Sequence, residues 1–409
     1  MEINNPNSGI YEINCKQFAN RVIDKTREMI DLLRTSPHFD YHSCIHSLRV
    51  PTLAIIHIET GNENTDAPTR SYLRNKLRCC ERAGILCQVH RFVSQYEGRR
   101  FDPDLYNKVK DKIEVLNNDP SINGIILQLP CGNADNALGR EEGIDCEPLY
   151  EFISPYKDVD CLNPQNVFNV CMGTSTAYDF RPCTPAGIIN LLMWSDDPKV
   201  EKLENWTKRV AVIGRSNIVG KPLSLLMTGL DHTVTLCHSH TDPEELWKII
   251  NESDIVISAT GHHGVVNANI LTMYDKTTER YPRKMLIDVG IHRNEETGKL
   301  EGDVDMDSIY ARDLLHHDMD ILYTPVPGGV GPLTTAMVVY NTYLAWCKMW
   351  KRHVCYRNLF WESLWSKVYI TPTPIDHRNA PDDMDHFETE YVITFVYPDG
   401  KTIKETRLY

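Results

Sequence analysis

Short, almost wholly apolar runs recur between stretches of helical periodicity along most of this chain. Residues 52–59 read TLAIIHIE, residues 124–129 read GIILQL and residues 209–213 read RVAVI. A strand that is apolar on both faces must be covered on both, and parallel βαβ units provide that cover. The first half reads as a helix over 14–34, a strand over 52–59, a helix over 70–84 ending at Gly84, a strand over 85–92, a helix over 104–118 and a strand over 124–129 closed by Pro130. Residues 131–154 are acidic and weakly patterned, which reads as a loop with a short helix. A helix over 185–195, with proline in its first turn, leads into a second series. There, strands over 209–213, 233–237, 255–259, 284–289 and 320–323 accompany helices over 219–228 and 243–250. The apolar helix over 333–351 is expected to pack back on the first domain.

At 409 residues the chain has room for two or three domains of about 100–200 residues each. The pattern divides it into two α/β domains of αβα type. Residues 1–184, completed by 333–351, form the first; 185–332 form a doubly wound domain of Rossmann, dinucleotide-binding type. Residues 352–409 change character. Pro372, Pro374 and Pro381 punctuate an acidic stretch, and a Pro398-Asp399-Gly400 turn between residues 391–397 and 401–408 signals a terminal hairpin. A formal net charge of −13 argues against a nucleic-acid partner, although a local basic pocket stays possible. No leader-like pattern stands at the start, and no apolar run reaches bilayer length. The 13 cysteines are odd in number and contain no C-x-x-C pair, which fits reduced thiols in a cytoplasmic setting.

The segment from Val210 to Gly220 has the form of a strand, a tight turn and a helix start. Gly214 and Gly220 let the backbone approach a pyrophosphate, and the helix N-terminus supplies N–H donors. Its G-x-S-x-x-x-G pattern also fits an ordinary structural turn; the surrounding αβ units favour the nucleotide. In such folds the next strand commonly ends in a carboxylate for the ribose of NAD. Here residues 233–237 run into His238-Ser239-His240-Thr241, with no carboxylate before Asp242, and Arg215 stands in the phosphate turn. That favours NADP over NAD, unless Arg215 merely pairs with a surface carboxylate.

Seven segments together resemble the bifunctional methylenetetrahydrofolate dehydrogenase/cyclohydrolase family, known in bacteria as FolD. They are Tyr72-Leu-Arg-Asn-Lys76, Leu127-Gln128-Leu129-Pro130, Lys157-Asp158-Val159-Asp160, Pro182-Cys-Thr-Pro185, Gly214-Arg-Ser-Asn-Ile-Val-Gly220, Ala259-Thr-Gly261 and the run from Thr324 to Pro332. They follow the family order across residues 14–351. The resemblance implies a folate cleft between the two domains and a homodimer. It implies that 5,10-methylenetetrahydrofolate is oxidised with NADP and that the methenyl product is hydrolysed to 10-formyltetrahydrofolate.

It also assigns roles that single residues do not carry alone. Tyr72 and Lys76 share a helix face, which by itself fits a surface pair; the resemblance makes Lys76 the catalytic group and packs Tyr72 on the folate ring. The methenyl product is cationic, which favours a neutral lysine able to help deprotonate water. Gln128, a long amide ending a buried strand, could cap loose backbone; by resemblance it hydrogen-bonds Lys76. Asp160 could be one more acidic loop residue; by resemblance it holds the pterin edge. Pro327, Gly328 and Gly329 are expected to line the meeting point of folate and nicotinamide. The dinucleotide is expected against Gly214, Arg215, Ser216, Ile218, Gly220, His238, Ser239, Ala259, Thr260, Gly261, Ile291 and Thr334.

The adjacent pairs His262–His263 and His316–His317 raise a metal, but adjacent side chains diverge and no carboxylate cluster accompanies them. They are left as surface residues, with no metal expected. Four departures stand out, one of them a loop over 131–154 longer than the family's. Cys161 occupies the glycine position of the family K-D-V-D-G, so a positive φ there would strain the loop carrying Asp160. Thr69 replaces a serine, and residues 352–409 lie outside the family pattern. That tail reads either as an added packing or dimer element or as a partner-docking module. Besides the bifunctional enzyme, a dehydrogenase without the hydrolytic activity and a non-catalytic folate- or nucleotide-binding protein remain open.

Overall fold

The computed structural model describes residues 9–35, 50–59, 63–93, 103–129, 147–174, 180–200, 207–271, 283–294, 297–316, 320–349, 360, 364, 367–372, 390–397 and 400–408. In chain order the first half contains β1 (Gly9–Glu12), α1 (Cys15–Thr35), β2 (Thr52–Glu59), α2 (Glu63–Ala83), β3 (Leu86–Val93), α3 (Pro103–Asn118) and β4 (Gly124–Gln128). β2 lies between β3 and β4, all parallel. Its side chains alternate between two cores. Leu53 and Ile55 face the layer of α1 and α2, whereas Ala54, Ile56 and Ile58 pack with Leu105, Val109 and Ile113 of α3. The period of two explains why the run is apolar throughout.

α2 starts seven residues before the expected helix and carries Pro68 inside it. A proline lacks the N–H for an interior helical bond, so the sequence reading placed the start after it. Of the loop expected over 131–154, residues 147–152 form a short 3-10 helix, and 130–146 lie outside the described residues.

The helices α4 (Pro164–Met172) and α5 (Cys183–Trp194) lead to the second series. It runs β5 (Arg209–Ile213), α6 (Gly220–Thr228), β6 (Thr233–Cys237), α7 (Pro243–Glu252), β7 (Ile255–Ser258), β8 (Lys284–Asp288), β9 (His292–Arg293), β10 (Leu300–Glu301), α8 (Met306–His316), β11 (Asp320–Tyr323) and α9 (Val330–Met349). The sheet order is β1-β11-β8-β7-β5-β6, parallel throughout. This is the doubly wound sheet expected from the sequence. One strand was not expected: β1, among the residues assigned to the first domain, extends the second sheet beside β11. Its four residues end in exposed Tyr11 and Glu12, so no apolar run marked it.

α9 is buried on nearly all sides from Leu333 to Cys347 and packs on α1, α2, α5, β2 and β4. The contact with α5 is close. A Cβ on Gly187 would stand 2.9 Å from Leu333 Cβ and 3.1 Å from its carbonyl carbon. Beyond α9, Phe360 is fully buried with its ring 4.6 Å from that of Tyr340, and Arg21 Nε donates to the carbonyl of Leu364. β12 (Lys367–Pro372), β13 (Glu390–Val396) and β14 (Thr402–Leu408) form an antiparallel sheet. The β13–β14 hairpin turns at Gly400, whose φ is 84°, as the sequence led us to expect. Tyr397 and Ile403 of the tail pack against the main core. No described helix is long and apolar enough to cross a membrane.

Candidate active site

Lys76 on α2 is only 4 % exposed, and an amine so placed needs an acceptor. Gln128, the last residue of β4, supplies it: Lys76 Nζ donates to Gln128 Oε1 at 2.8 Å. Gln128 Nε2 in turn donates to the Leu129 carbonyl at 2.8 Å, which sets the direction of the amide. One helical turn before Lys76, the Tyr72 ring centroid lies 5.9 Å from Nζ. Tyr72 is 38 % exposed, yet its phenol is raised above its ordinary value, chiefly because atoms crowd the hydroxyl. That hydroxyl bonds to the Thr335 side chain on α9.

Asp160 arrives on a segment held from three sides. Lys157 Nζ donates to the carbonyls of Leu116 and Asp119, at 2.9 and 2.7 Å. Ile125 N donates to the Lys157 carbonyl at 2.7 Å, and Ile125 forms a parallel bridge with Asp158. Asp158 is buried and accepts from Asn163 N, Asn166 Nδ2 and Leu162 N at 2.8, 2.8 and 3.1 Å. Val159 presses on β4, where a Cβ on Gly124 would stand 2.7 Å from its Cγ1. Three of the four residues in this motif therefore build the platform. Half-buried Asp160 accepts a hydrogen bond from the Cys183 thiol, which burial first and the Asp160 charge second push well above its ordinary pKa. Asn341 on α9 ties the parts together, donating to the carbonyls of Val159 at 2.8 Å and Arg181 at 3.1 Å.

At the second sheet, Gly214 has φ 115°, and a Cβ there would stand 2.3 Å from the Ala259 carbonyl oxygen. A Cβ on Gly220 would stand 1.9 Å from the Gly214 oxygen, so the turn closes only with glycine at both places. Ser216 Oγ accepts from Val219 N and Gly220 N at 3.2 and 3.3 Å, while Arg215, Ser216 and Ile218 remain exposed around the start of α6. At the end of β6, His238 N donates to Thr241 Oγ1, and Ser239 is exposed. Asp242 spends its carboxylate capping α7, accepting from Glu244 N and Glu245 N at 2.9 and 3.2 Å. Ala259 and Thr260 are half-buried beside exposed Gly261, with open space where a Gly261 Cβ would be. The Thr260 N–H and hydroxyl are committed to Asp303 Oδ2, at 2.6 and 2.9 Å.

The two parts meet at the segment from Thr324 to Pro332. Gly328 has φ 110°, and a Cβ on Gly329 would stand 2.4 Å from the Pro325 oxygen. Pro327 is exposed, and Ile291 is 60 % exposed. Thr334 Oγ1 lies 2.9 Å from Thr184 Oγ1, joining α9 to the P-C-T-P segment. Thus Tyr72, Lys76 and Gln128 come together with Asp160 near enough for its charge to act on Tyr72, and most residues expected against the dinucleotide lie at the carboxyl ends of β5 to β7, with Ile291 after β8 and Thr334 on α9.

A family model described as the tetrahydrofolate dehydrogenase/cyclohydrolase catalytic domain matches residues 13–160. The NAD(P)-binding domain of the same enzymes matches residues 182–350. A curated relative, the bifunctional protein FolD of Caldicellulosiruptor saccharolyticus, is 38 % identical over 294 residues, covering 72 % of this chain and 89 % of its own. The chain belongs to this bifunctional tetrahydrofolate dehydrogenase/cyclohydrolase family. Among solved structures, the Campylobacter jejuni FolD enzyme aligns with a TM-score of 0.63 at 26 % identity, covering 83 % of this chain and 99 % of its own. The Trypanosoma brucei FolD enzyme, complexed with NADP cofactor and inhibitor, also gives 0.63, at 25 % identity and with 83 % and 98 % covered.

Against that family, the strain expected at Cys161 is present. Cys161 has φ 60°, is fully buried, and its Sγ lies 3.2 Å from the Phe180 carbonyl. A left-handed non-glycine residue costs roughly 1–2 kcal/mol. Burial of the thiol and its contact with Phe180 offset part of that. Thr335, Cys183 and Asn341 were missed as contributors to the site. The one signal for Asn341 was an amide inside an otherwise apolar helix. Of the histidine pairs, His262 is exposed, and His317 lies outside the described residues.

Burial raises the Asp158 carboxyl from an ordinary 3.8 to about 6, against the three hydrogen bonds that lower it. Between those values the folded chain holds a proton that the unfolded chain releases, so stability falls as pH rises through the window. The full span is worth ~3 kcal/mol. Urea midpoints measured from pH 4 to 6.5 should therefore show a shallower fall in Asp158→Asn than in the unaltered chain, whatever the overall loss in that variant. Parallel pH profiles would refute the assignment.

Proposed function

We propose that Tyr72, Lys76, Gln128 and Asp160 line one folate cleft serving both reactions of the family. In the first, 5,10-methylenetetrahydrofolate is oxidised to the methenyl form. In the second, that form is hydrolysed to 10-formyltetrahydrofolate. The carrying observation is the buried Lys76–Gln128 hydrogen bond beside Tyr72. An amine held at a fixed position beside an aromatic face suits a flat, electron-poor substrate.

Tyr72 packs on the folate ring, and Asp160, steadied by the Cys183 thiol, accepts from the amino-pyrimidine edge of the pterin. Pro327, Gly328 and Gly329 line the far wall, with no side chain from the glycines to bar close approach. A nicotinamide dinucleotide bound against the second sheet would supply the hydride acceptor. The chain's part in that step is to align the one-carbon unit and exclude water. In hydrolysis, water attacks the methenyl carbon and loses a proton with the help of Lys76 Nζ; the C–N5 bond then breaks to leave the formyl group on N10. Gln128 positions the amine.

The dinucleotide would lie over Gly214, Arg215, Ser216, Ile218 and Gly220, past His238 and Ser239, with Ala259, Thr260, Gly261, Ile291 and Thr334 toward the nicotinamide. The residues fit such a ligand: the turn holds no side chain at its two glycines, and open space surrounds Gly261. NADP is favoured over NAD because the end of β6 offers no carboxylate to the ribose. Asp242 is engaged with α7, and Arg215, exposed beside the start of α6, would take the 2′-phosphate. The folate and the dinucleotide are the partners of this acidic chain, with no nucleic acid among them. The nine described cysteines are all free, in keeping with a cytoplasmic enzyme.

The homodimer of the family is proposed as well. β3 is an edge strand of the small sheet and leaves Leu86 58 % and Val93 54 % exposed, a surface suited to pairing with a second copy. Light scattering should give about twice the 47.0 kDa chain mass; a monomer at micromolar concentration would exclude it.

Lys76→Met should lower hydrolysis of the methenyl substrate by roughly 10²-fold or more, with a smaller effect on cofactor reduction. Normal hydrolysis in that variant removes Lys76 from its role. Arg215→Ala should raise KM for NADP far more than KM for NAD, and equal rises would refute the 2′-phosphate contact. Following nicotinamide reduction and methenyl absorbance together tests the alternative that strain at Cys161 has cost the hydrolytic step. Lasting methenyl accumulation would identify a dehydrogenase alone.

A further inference from the structure

The β9–β10 hairpin and the loop after β7 bring together three side chains that the chemistry above does not use. His292 stands directly opposite Glu301 in the two-stranded ladder, so both side chains leave the hairpin on one face. His263 brings its ring to 5.7 Å from the His292 ring, centroid to centroid. One ligand atom from each of the three residues lies within 4.8 Å of the other two. His263 is exposed; His292 and Glu301 are half-buried.

Two further observations point to an ion. Both ring nitrogens of His292 are buried, and neither has a hydrogen-bond partner among the described residues. A neutral imidazole has one donor and one acceptor nitrogen, and burying either unpaired is costly. The other two groups are already oriented from behind. His263 Nδ1 lies 2.9 Å from the Gly302 carbonyl, which places the proton on Nδ1 and the free lone pair on Nε2. Asn294 Nδ2 donates to Glu301 Oε1 at 2.9 Å. Backbone carbonyls behind ligand imidazoles and donors behind ligand carboxylates are the usual outer partners of a metal site.

We propose that His263, His292 and Glu301 bind a divalent first-row transition ion, with Zn2+ the best match. Two imidazoles and one carboxylate suit zinc, whereas Mg2+ and Ca2+ favour oxygen alone. Bonds of roughly 2 Å in a tetrahedron place ligand atoms about 3.3 Å apart. Ligand atoms within 4.8 Å of one another are within reach of that spacing, and exposed His263 has the most freedom to adjust. Such an ion clamps the β9–β10 hairpin to the loop that begins at Ala259, where Asp303 already accepts from Thr260 and its carbonyl accepts from Gly264 N at 2.9 Å. The site lies outside the Lys76 cleft and stands or falls independently of the folate reading.

The test uses the full chain, stripped with a chelator and dialysed, then titrated with Co2+ and back-titrated with Zn2+. One Co2+ per chain is expected, with visible absorption of a nitrogen- and oxygen-ligated ion, displaced by Zn2+. His263→Ala, His292→Asn and Glu301→Gln should each weaken binding by about tenfold or more, and His262→Ala should leave it unchanged. Because His263 is exposed, its variant keeps the test valid if the His292 variant fails to fold. Absence of binding, thiolate charge-transfer bands marking cysteine ligands, or equal affinity in His263→Ala would each overturn the proposal.

Discussion

A helix that is apolar on every side has to be enclosed, and the enclosure of α9 organises this molecule. Parallel sheets need cover on both faces, and α9 serves the small sheet while packing on α1, α2 and α5. Its close approach to α5 at Gly187 brings the second series of elements against the first. Because α9 begins straight after the Thr324–Pro332 segment, its first turns stand at the junction. There Thr334 meets Thr184, and Thr335 meets the Tyr72 hydroxyl. Deeper in, Asn341 reaches the carbonyls of Val159 and Arg181, so one buried amide joins the Asp160 segment to the start of α5. The tail builds on the same helix: Phe360 stacks against Tyr340, adding apolar cover.

The Asp160 segment shows how buried charge can hold a loop in place. Lys157 and Asp158 are both buried, and each is satisfied largely by backbone groups. Losing either partner set would leave an orphaned ion, which costs far more than an exposed pair contributes. This stiffness is what lets Cys161 persist at φ 60° one residue after Asp160. The surrounding bonds overdetermine the turn, so the strain stays local and the carboxylate keeps its place.

The long apolar strands, the two series of αβ units and the terminal hairpin were legible because period and composition mark them. β1 and β12 were not: β1 is four residues long and ends in exposed Tyr11 and Glu12, and β12 ends at Pro372, which reads as a break. α4 begins at a capped proline and α8 carries mixed polarity, so neither shows a clean stripe. Lys76, Gln128 and Asp160 were singled out by their resemblance to family motifs. Their spacing alone left each with a plain structural explanation.

Local pattern, then, determined the sheets, the phosphate turn and the absence of a carboxylate after β6. Those features depend on neighbours within a few residues, where side-chain period and glycine geometry act directly. Tertiary structure decided the rest. Lys76 and Gln128 are 52 residues apart, Asn341 reaches back 182 residues to Val159, and His263 finds His292 across the hairpin. No local rule relates such pairs. They meet because apolar faces had to be buried, and burial then obliged each polar group to find a partner.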